Sequence, residues 1–165
     1  MRREWSRWVD ARPGEAWKVV ADLDAYHRYV PALVETKVIS GEGVGACRRC
    51  EDRSGAAWQE TCVVWEPGHR YVIDVDVKTY PWRLRILLTS FRGHWSVSPE
   101  GSGARIGIAF TAVPRRGFGW MVKAGLDRAG VDEILRGYEV ELDRIGALGN
   151  DRTPRDVEES DRPVH

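Results

Sequence analysis

The sequence predicts an α+β fold in which a curved antiparallel sheet of about seven strands packs around a long C-terminal helix. Short β-branched and aromatic runs, separated by Gly, Pro and Asp, fill residues 35–113 and are typical of an antiparallel meander. Apolar residues then recur at steps of three and four from residue 122 to residue 148, which indicates a helix. Two short helices are expected after the first strand, because Pro13 can open one and Pro31 can close the other.

The elements follow in order along the chain. The first strand is predicted at residues 4–11 and the short helices at about 13–23 and 24–30. Turn residues separate six further predicted strands, at 35–40, 46–52, 57–65, 70–77, 83–97 with a break, and 105–113. Gly125 and Gly130 weaken the first half of the last helix, so a kink or a separate helix is expected before Val131.

Composition limits the classes of partner. The 165 residues include 25 Lys or Arg and 25 Asp or Glu, so no nucleic-acid partner and no general attraction to anionic membranes is expected, although a local basic patch stays open. No apolar stretch is long enough to predict membrane insertion, and we expect a cytoplasmic protein. Three cysteines favour reduced thiols over a disulfide framework. Residues 1–148 are predicted to form one domain and 149–165 a disordered polar tail.

Four local segments carry a resemblance to a known family: Ala-Arg-Pro-Gly-Glu-Ala-Trp at 11–17, and residues 22–31, 43–45 and 64–71. With the order of elements, they resemble the START-like (SRPBCC) superfamily, which includes polyketide cyclases, lipid carriers and the birch-pollen allergen group. The resemblance implies a helix-grip fold, in which the sheet grips the last helix and a small hydrophobic or aromatic ligand lies between them. Neither the resemblance nor any motif indicates a cofactor.

Strand alternation suggests which polar residues face the interior. A two- or four-residue turn near 53–56 puts Arg49 on the same face as Trp58 and Glu60, whereas a three-residue turn reverses this relation. Arg49 and Glu60 are therefore candidates for a catalytic polar pair, the alternative being a structural ion pair or a solvated outer face. Tyr71 is the third catalytic candidate; its hydroxyl either donates to a ligand or satisfies a backbone carbonyl.

The walls of such a cavity are expected to be aromatic and aliphatic. Tyr80 and Trp82 lie at a strand connection and Trp120 at the entry to the last helix, where they either gate the cavity or seal the helix against the sheet. Core packing alone explains most of the eight tryptophans. The predicted ligand-binding residues are Trp58, Ile73, Tyr80, Trp82, Trp95, Phe110, Trp120 and Tyr138.

Other reactive residues give weaker signals. Cys47 and Cys50 have the spacing of some zinc and redox sites, but on a strand they point to opposite faces, so no metal site is predicted. His27 and His94 lie in no recognisable triad or metal spacing.

Three functions are consistent with these observations. The first is a cyclase, aromatase or dehydratase acting on a polyketide-like or other aromatic intermediate, which the resemblance implies. The second is a non-catalytic carrier of a lipid, isoprenoid or quinone; converging polar groups in the cavity favour the enzyme and a wholly apolar cavity the carrier. The third is a partner-binding domain that uses the convex face of the sheet, which an exposed apolar patch there would favour. The sequence does not indicate the oligomeric state.

Overall fold

Seven antiparallel strands form one sheet in the computed structural model, which describes residues 1–149. The spatial order is β1-β7-β6-β5-β4-β3-β2, so the first strand returns to pair with the last. The predicted helix-grip architecture is confirmed. The predicted tail lies outside the described residues apart from Gly149. The strands are β1 (Arg2–Val9), β2 (Leu33–Ser40), β3 (Cys47–Asp52), β4 (Ala57–Glu66), β5 (Arg70–Val75), β6 (Leu88–Glu100) and β7 (Gly103–Pro114).

Four α-helices and one 3-10 turn accompany the sheet in this part of the chain. They are α1 (Pro13–Val20), the turn Tyr26–Arg28, α2 (Trp82–Arg85), α3 (Gly119–Asp127) and α4 (Val131–Arg144). The expected interruption before Val131 is present, because Gly130 has a left-handed φ of 63° that separates α3 from α4. The last helix ends at Arg144 rather than at 148, and the second short helix is only the 3-10 turn.

Helix α4 buries one face against the sheet. Its buried side chains recur at the steps expected of an amphipathic helix, and they are Val131, Ile134, Leu135, Tyr138 and Leu142. Gly137 permits a close approach, since a Cβ at this position would lie 3.2 Å from the ring of Tyr29. The helix therefore closes the concave side of the sheet.

The β3–β4 hairpin fixes which residues face that interior. The Asp52 amide donates to the Ala56 carbonyl over 2.9 Å, which leaves a three-residue loop whose last residue, Gly55, has a left-handed φ of 80°. Arg48 consequently lies opposite Glu60. The predicted pairing of Arg49 with Glu60 is wrong, because the odd loop length moves Arg49 to the other face.

The segment before β6 is helical, so the predicted strand at 83–97 was placed too early. Pro81 lies directly before α2 at its N-cap, and its carbonyl accepts hydrogen bonds from the amides of Leu84 and Arg85 at 2.9 and 3.1 Å. Strand β6 starts only at Leu88, which puts α2 at one end of the sheet. Within residues 1–149, none of the helices has the combination of length and hydropathy that a membrane span needs.

Thiol labelling tests this arrangement of strands. Cys50 and Cys62 are buried, and burial raises the pKa of both thiols, whereas Cys47 is partly exposed on the other face of β3. We expect iodoacetamide at mildly alkaline pH to modify Cys47 alone in the native protein and all three cysteines after unfolding in guanidinium, as read by peptide mass spectrometry. Modification of native Cys50 as fast as Cys47 would contradict the register of β3.

Candidate functional site

Stacked aromatic rings fill the middle of the interior. The Trp95 indole stacks on the Tyr71 ring with centroids 5.0 Å apart and planes 8° apart, and the Tyr26 ring meets it edge-on at 5.3 Å. Gly93, two residues before Trp95 on the same face of β6, makes room for the indole, because a Cβ there would lie 2.4 Å from the indole ring. The sheet can therefore hold a large flat ring close against its concave face.

A buried ion pair lies beside these rings. Arg48 is 1 % exposed and Glu60 7 % exposed, and they face each other across β3 and β4. The Arg48 Nε and Nη2 atoms lie 2.8 and 2.7 Å from Glu60 Oε2, and the Trp58 indole N–H donates to Glu60 Oε1 over 2.7 Å. Both carboxylate oxygens thus accept a short hydrogen bond from the protein.

The surroundings keep the Arg48 guanidinium charged. Burial acts to lower the pKa of Arg48, but the neighbouring Glu60 carboxylate acts to raise it, and the net shift is upward. The guanidinium carbon also lies 4.6 Å from the centroid of the Tyr26 ring, within the range of a cation–π interaction. Arg48 and Trp58 occupy both carboxylate oxygens of Glu60. Glu60 therefore acts as one half of a structural ion pair rather than as a free acid or base.

Three polar groups near this pair have unused hydrogen-bonding capacity. Arg48 Nη1, Trp95 Nε1 and the Tyr138 hydroxyl are buried and form no hydrogen bond of good geometry within residues 1–149, although the Trp95 side chain lies near enough to the Tyr138 hydroxyl to act to lower its pKa. Burial raises the pKa of Tyr138 well above its usual range, so its hydroxyl stays protonated. Such groups are costly unless something pairs with them, and a ligand oxygen is one such partner.

Tyr71 behaves differently from Tyr138. Its buried hydroxyl donates to the Val20 carbonyl over 2.9 Å, which joins β5 to the end of α1. This is the structural alternative considered for Tyr71 from the sequence.

An apolar pocket of about 230 Å³ opens at one end of the sheet, where α2 and α3 flank the ends of β6 and β7. No charged side chain of the described residues lines it. The pocket, called the apolar pocket below, is lined by Tyr80, Leu84, Leu87, Leu88, Phe91, Phe110, Ala112, Met121, Val122, Gly125, Leu126 and Ala129.

Aromatic rings lie between the apolar pocket and the buried ion pair. The Tyr80 ring is 5.2 Å from that of Trp58, the indole that binds Glu60. The Phe110 ring is 5.4 Å from Phe91 and 6.2 Å from Trp95. Neither Arg48 nor Glu60 lines the pocket, so aromatic rings separate a molecule in the pocket from the charged pair.

A larger depression of about 580 Å³ lies on the outer face of the sheet, away from the ion pair. The four arginines on its walls each pair with a carboxylate of the chain, as in Arg92 with Asp74. The other pairs are Arg2 with Glu4, Arg70 with Glu66 and Arg105 with Glu100. Because these charges are already neutralised and exposed, the interior is the better candidate site.

The sequence-predicted site residues separate into four groups. Tyr80 and Phe110 line the apolar pocket, whereas Trp82 and Trp120 are 62 % and 72 % exposed and do not line it. Arg49 lies outside, where it pairs with Glu35 and Glu51. The remaining predicted residues are buried around the ion pair or in the core: Trp58, Glu60, Tyr71, Ile73, Trp95 and Tyr138.

Sequence reasoning missed Arg48 and most residues of the pocket. The sequence signal that could have identified Arg48 is Gly55, because a Gly at this position favours a three-residue loop. A loop with this odd number of residues places Arg48 opposite Glu60. Leu84 and Met121 line the pocket from helices, so the alternation of residues along a strand could not identify them.

Comparison with known proteins places the chain in a family. A family model described as "Polyketide cyclase / dehydrase and lipid transport" matches residues 4–145. The chain belongs to this family. No curated protein matches the sequence.

Several solved structures have the same fold as this family member, although their sequence identity to it is low. The Zhui aromatase/cyclase from Streptomyces sp. R1128 superposes with a TM-score of 0.69 at 15 % identity, over 87 % of this chain and 94 % of that one. A START superfamily protein from Mycobacterium smegmatis gives 0.66 at 13 % identity, over 87 % and 98 % of the two chains. A protein from Thermus thermophilus gives 0.67 at 18 % identity, over 88 % and 99 %.

Two buried tyrosines of this family member provide a matched test of the interior. Tyr71→Phe leaves the Val20 carbonyl without its donor, so we expect the free energy of unfolding to fall by about 1–3 kcal/mol. Tyr138→Phe removes a hydroxyl that has no partner among the described residues, so we expect stability to stay equal or rise. Urea unfolding of both variants checks this, and equal losses would contradict the assigned hydrogen bonding.

Proposed function

We propose that this chain binds a small apolar molecule in the apolar pocket and carries it without chemical change. The observation that carries the proposal is the lining, which is aliphatic and aromatic and, within residues 1–149, holds no charged side chain. Burial of apolar surface then supplies the binding free energy. The words "lipid transport" in the family's description agree with a carrier.

The size of the pocket narrows the ligand. About 230 Å³ is below the ~300–1,000 Å³ typical of sites for drug-sized ligands. The pocket as it stands therefore suits a molecule of one or two rings, or the end of a longer chain that extends into solvent.

Among residues 1–149, Tyr80 is the one ionisable residue that lines the pocket, and burial raises the pKa of its phenol, so it stays protonated. Glu60 already binds Arg48 and Trp58. His27 contacts Thr36 and the Asp24 carbonyl, and His94 lines the outer depression. Each of these three groups either has hydrogen-bond partners within the chain or lies outside the pocket, which favours a carrier over a catalyst.

The cytoplasmic location remains a prediction.

Filling the pocket tests the carrier proposal. Gly125 lines the pocket and Gly119 does not, although both lie in α3 and a Cβ at either would meet no atom within 4 Å. We expect Gly125→Leu to weaken binding of 1-naphthol at least about tenfold, while Gly119→Leu leaves it unchanged. Fluorescence titration with 1-naphthol measures both.

The glycine pair controls for folding, because leucine is a better helix former than glycine at both positions. Absence of saturable 1-naphthol binding by the unsubstituted protein would overturn the carrier proposal, as would equal weakening by the two variants.

A second candidate function, a cyclase or dehydratase, is favoured by the unpartnered groups of Arg48, Trp95 and Tyr138. Three donors buried close to aromatic rings would suit a carbonyl or phenol oxygen of a polyketide-like substrate, provided that the Phe91 and Phe110 rings move aside. The Zhui aromatase/cyclase has this fold, which agrees with such a role.

Comparing two probes separates the two functions. The carrier proposal predicts that 1-naphthol and naphthalene bind with similar affinity, because the pocket offers no charge and few hydrogen bonds. The cyclase proposal predicts that 1-naphthol binds at least about tenfold more tightly and that Tyr138→Phe removes this preference. Competition against a fluorescent apolar probe measures the preference.

A further inference from the structure

Charge is distributed unevenly along this neutral chain. Residues 77–126 contain eight basic residues (Lys78, Arg83, Arg85, Arg92, Arg105, Arg115, Arg116 and Lys123) and one acidic residue, Glu100. The whole chain has 25 of each kind, so the remaining residues hold 17 basic and 24 acidic side chains. The segment with the excess of seven positive charges includes α2 and most of α3.

Four arginines of this segment differ from those on the outer face of the sheet. Arg83, Arg85, Arg115 and Arg116 are exposed, and none forms an ion pair within residues 1–149. The segments that carry them are in contact, because the Arg115 amide donates to the Leu87 carbonyl over 2.8 Å and its Nε to the Arg85 carbonyl over 3.2 Å. Their charge is therefore available to an external anion.

Large apolar side chains are exposed on α2, at Ile86 directly after it, and on α3. Trp82 and Trp120 are 62 % and 72 % exposed, and Leu84, Ile86 and Met121 are also exposed. Leu84 and Met121 line the apolar pocket as well, which places this surface at the pocket's rim. We call it the rim patch: Trp82, Leu84, Ile86, Trp120 and Met121 with Arg83, Arg85, Arg115 and Arg116.

We propose that the rim patch docks this protein on a membrane surface that contains anionic lipid, with the apolar pocket opening toward the bilayer. Indole rings favour the membrane–water interface, and arginines beside them attract anionic headgroups. A pocket that opens there receives an apolar ligand from the bilayer without passage through water. This last feature rests on the proposed carrier function, whereas docking itself does not.

A membrane fits these residues better than an acidic protein partner does. Two protruding indoles and three exposed aliphatic or thioether side chains would enter the interfacial layer, where the arginines stay at headgroup level. A soluble acidic partner would need an apolar surface shaped to cover the indole rings beside its carboxylates, whereas a bilayer interface covers apolar side chains and attracts arginines without such a shape.

Vesicle sedimentation of the full chain tests docking. We expect binding to phosphatidylcholine vesicles containing about a third phosphatidylglycerol, and at least about tenfold weaker binding to phosphatidylcholine alone. Raising the salt concentration should weaken binding, because the attraction is screened. Trp82→Ala/Trp120→Ala and Arg83→Glu/Arg116→Glu should each lower the partition coefficient at least about tenfold.

A matched charge reversal provides the control. Arg12→Glu/Arg136→Glu changes the net charge equally at exposed positions away from the rim patch, and it should leave vesicle binding unchanged. Equal binding to neutral and anionic vesicles, equal loss in the control, or binding that is insensitive to the two tryptophans would each overturn docking. Retention on polyglutamate without retention on vesicles would instead identify an acidic partner and overturn it as well.

The 1-naphthol titration keeps this proposal separate from the carrier proposal. We expect Arg83→Glu/Arg116→Glu to bind 1-naphthol as the unsubstituted protein does, because neither arginine lines the pocket. Vesicle binding without 1-naphthol binding would refute the carrier function and support docking, and the reverse result would refute docking alone.

Discussion

The buried pairing of Arg48 with Glu60 constrains the rest of the interior. A charge removed from water is tolerated only with a close counter-charge and further hydrogen bonds, and here the carboxylate also binds the Trp58 indole. The pair can form only if β3 and β4 keep the register set by the three-residue loop, since a slip of one residue would put Arg49 opposite Glu60. Tyr26 then covers the guanidinium, which fixes the turn after α1 against the sheet.

Aromatic packing around this pair leaves little room for a ligand. Trp95 lies over Gly93 and against Tyr71, so these rings fill the middle of the concave face, and the apolar pocket lies at the end near α2 and α3. The polar groups that could support chemistry and the space that could hold a ligand are therefore in different places. This separation is the physical reason for preferring a carrier to a cyclase.

Most of the fold could be predicted from the sequence, because strand alternation and helical periodicity report directly on burial. Tyr71 and Ile73 face inward as expected, and Gly130 interrupts the last helix as expected. Whether Arg48 or Arg49 lies opposite Glu60 depends on whether the β3–β4 loop has an odd or an even number of residues. The alternation of residues along the strands does not determine that number. The α2 part of the pocket lining was missed because α2 begins after Pro81 inside a stretch whose β-prone composition favoured a strand.

Replacing the ion pair by apolar residues tests whether Arg48 and Glu60 hold β3 and β4 in register. Arg48→Met and Glu60→Leu should each lower the free energy of unfolding by about 3–5 kcal/mol, since each leaves a buried charge alone. The double variant should regain most of that loss and should still bind 1-naphthol, because the pair maintains register and does not line the pocket. A double variant that is no more stable than the single variants, or one that folds but no longer binds 1-naphthol, would contradict the structural role assigned to the pair.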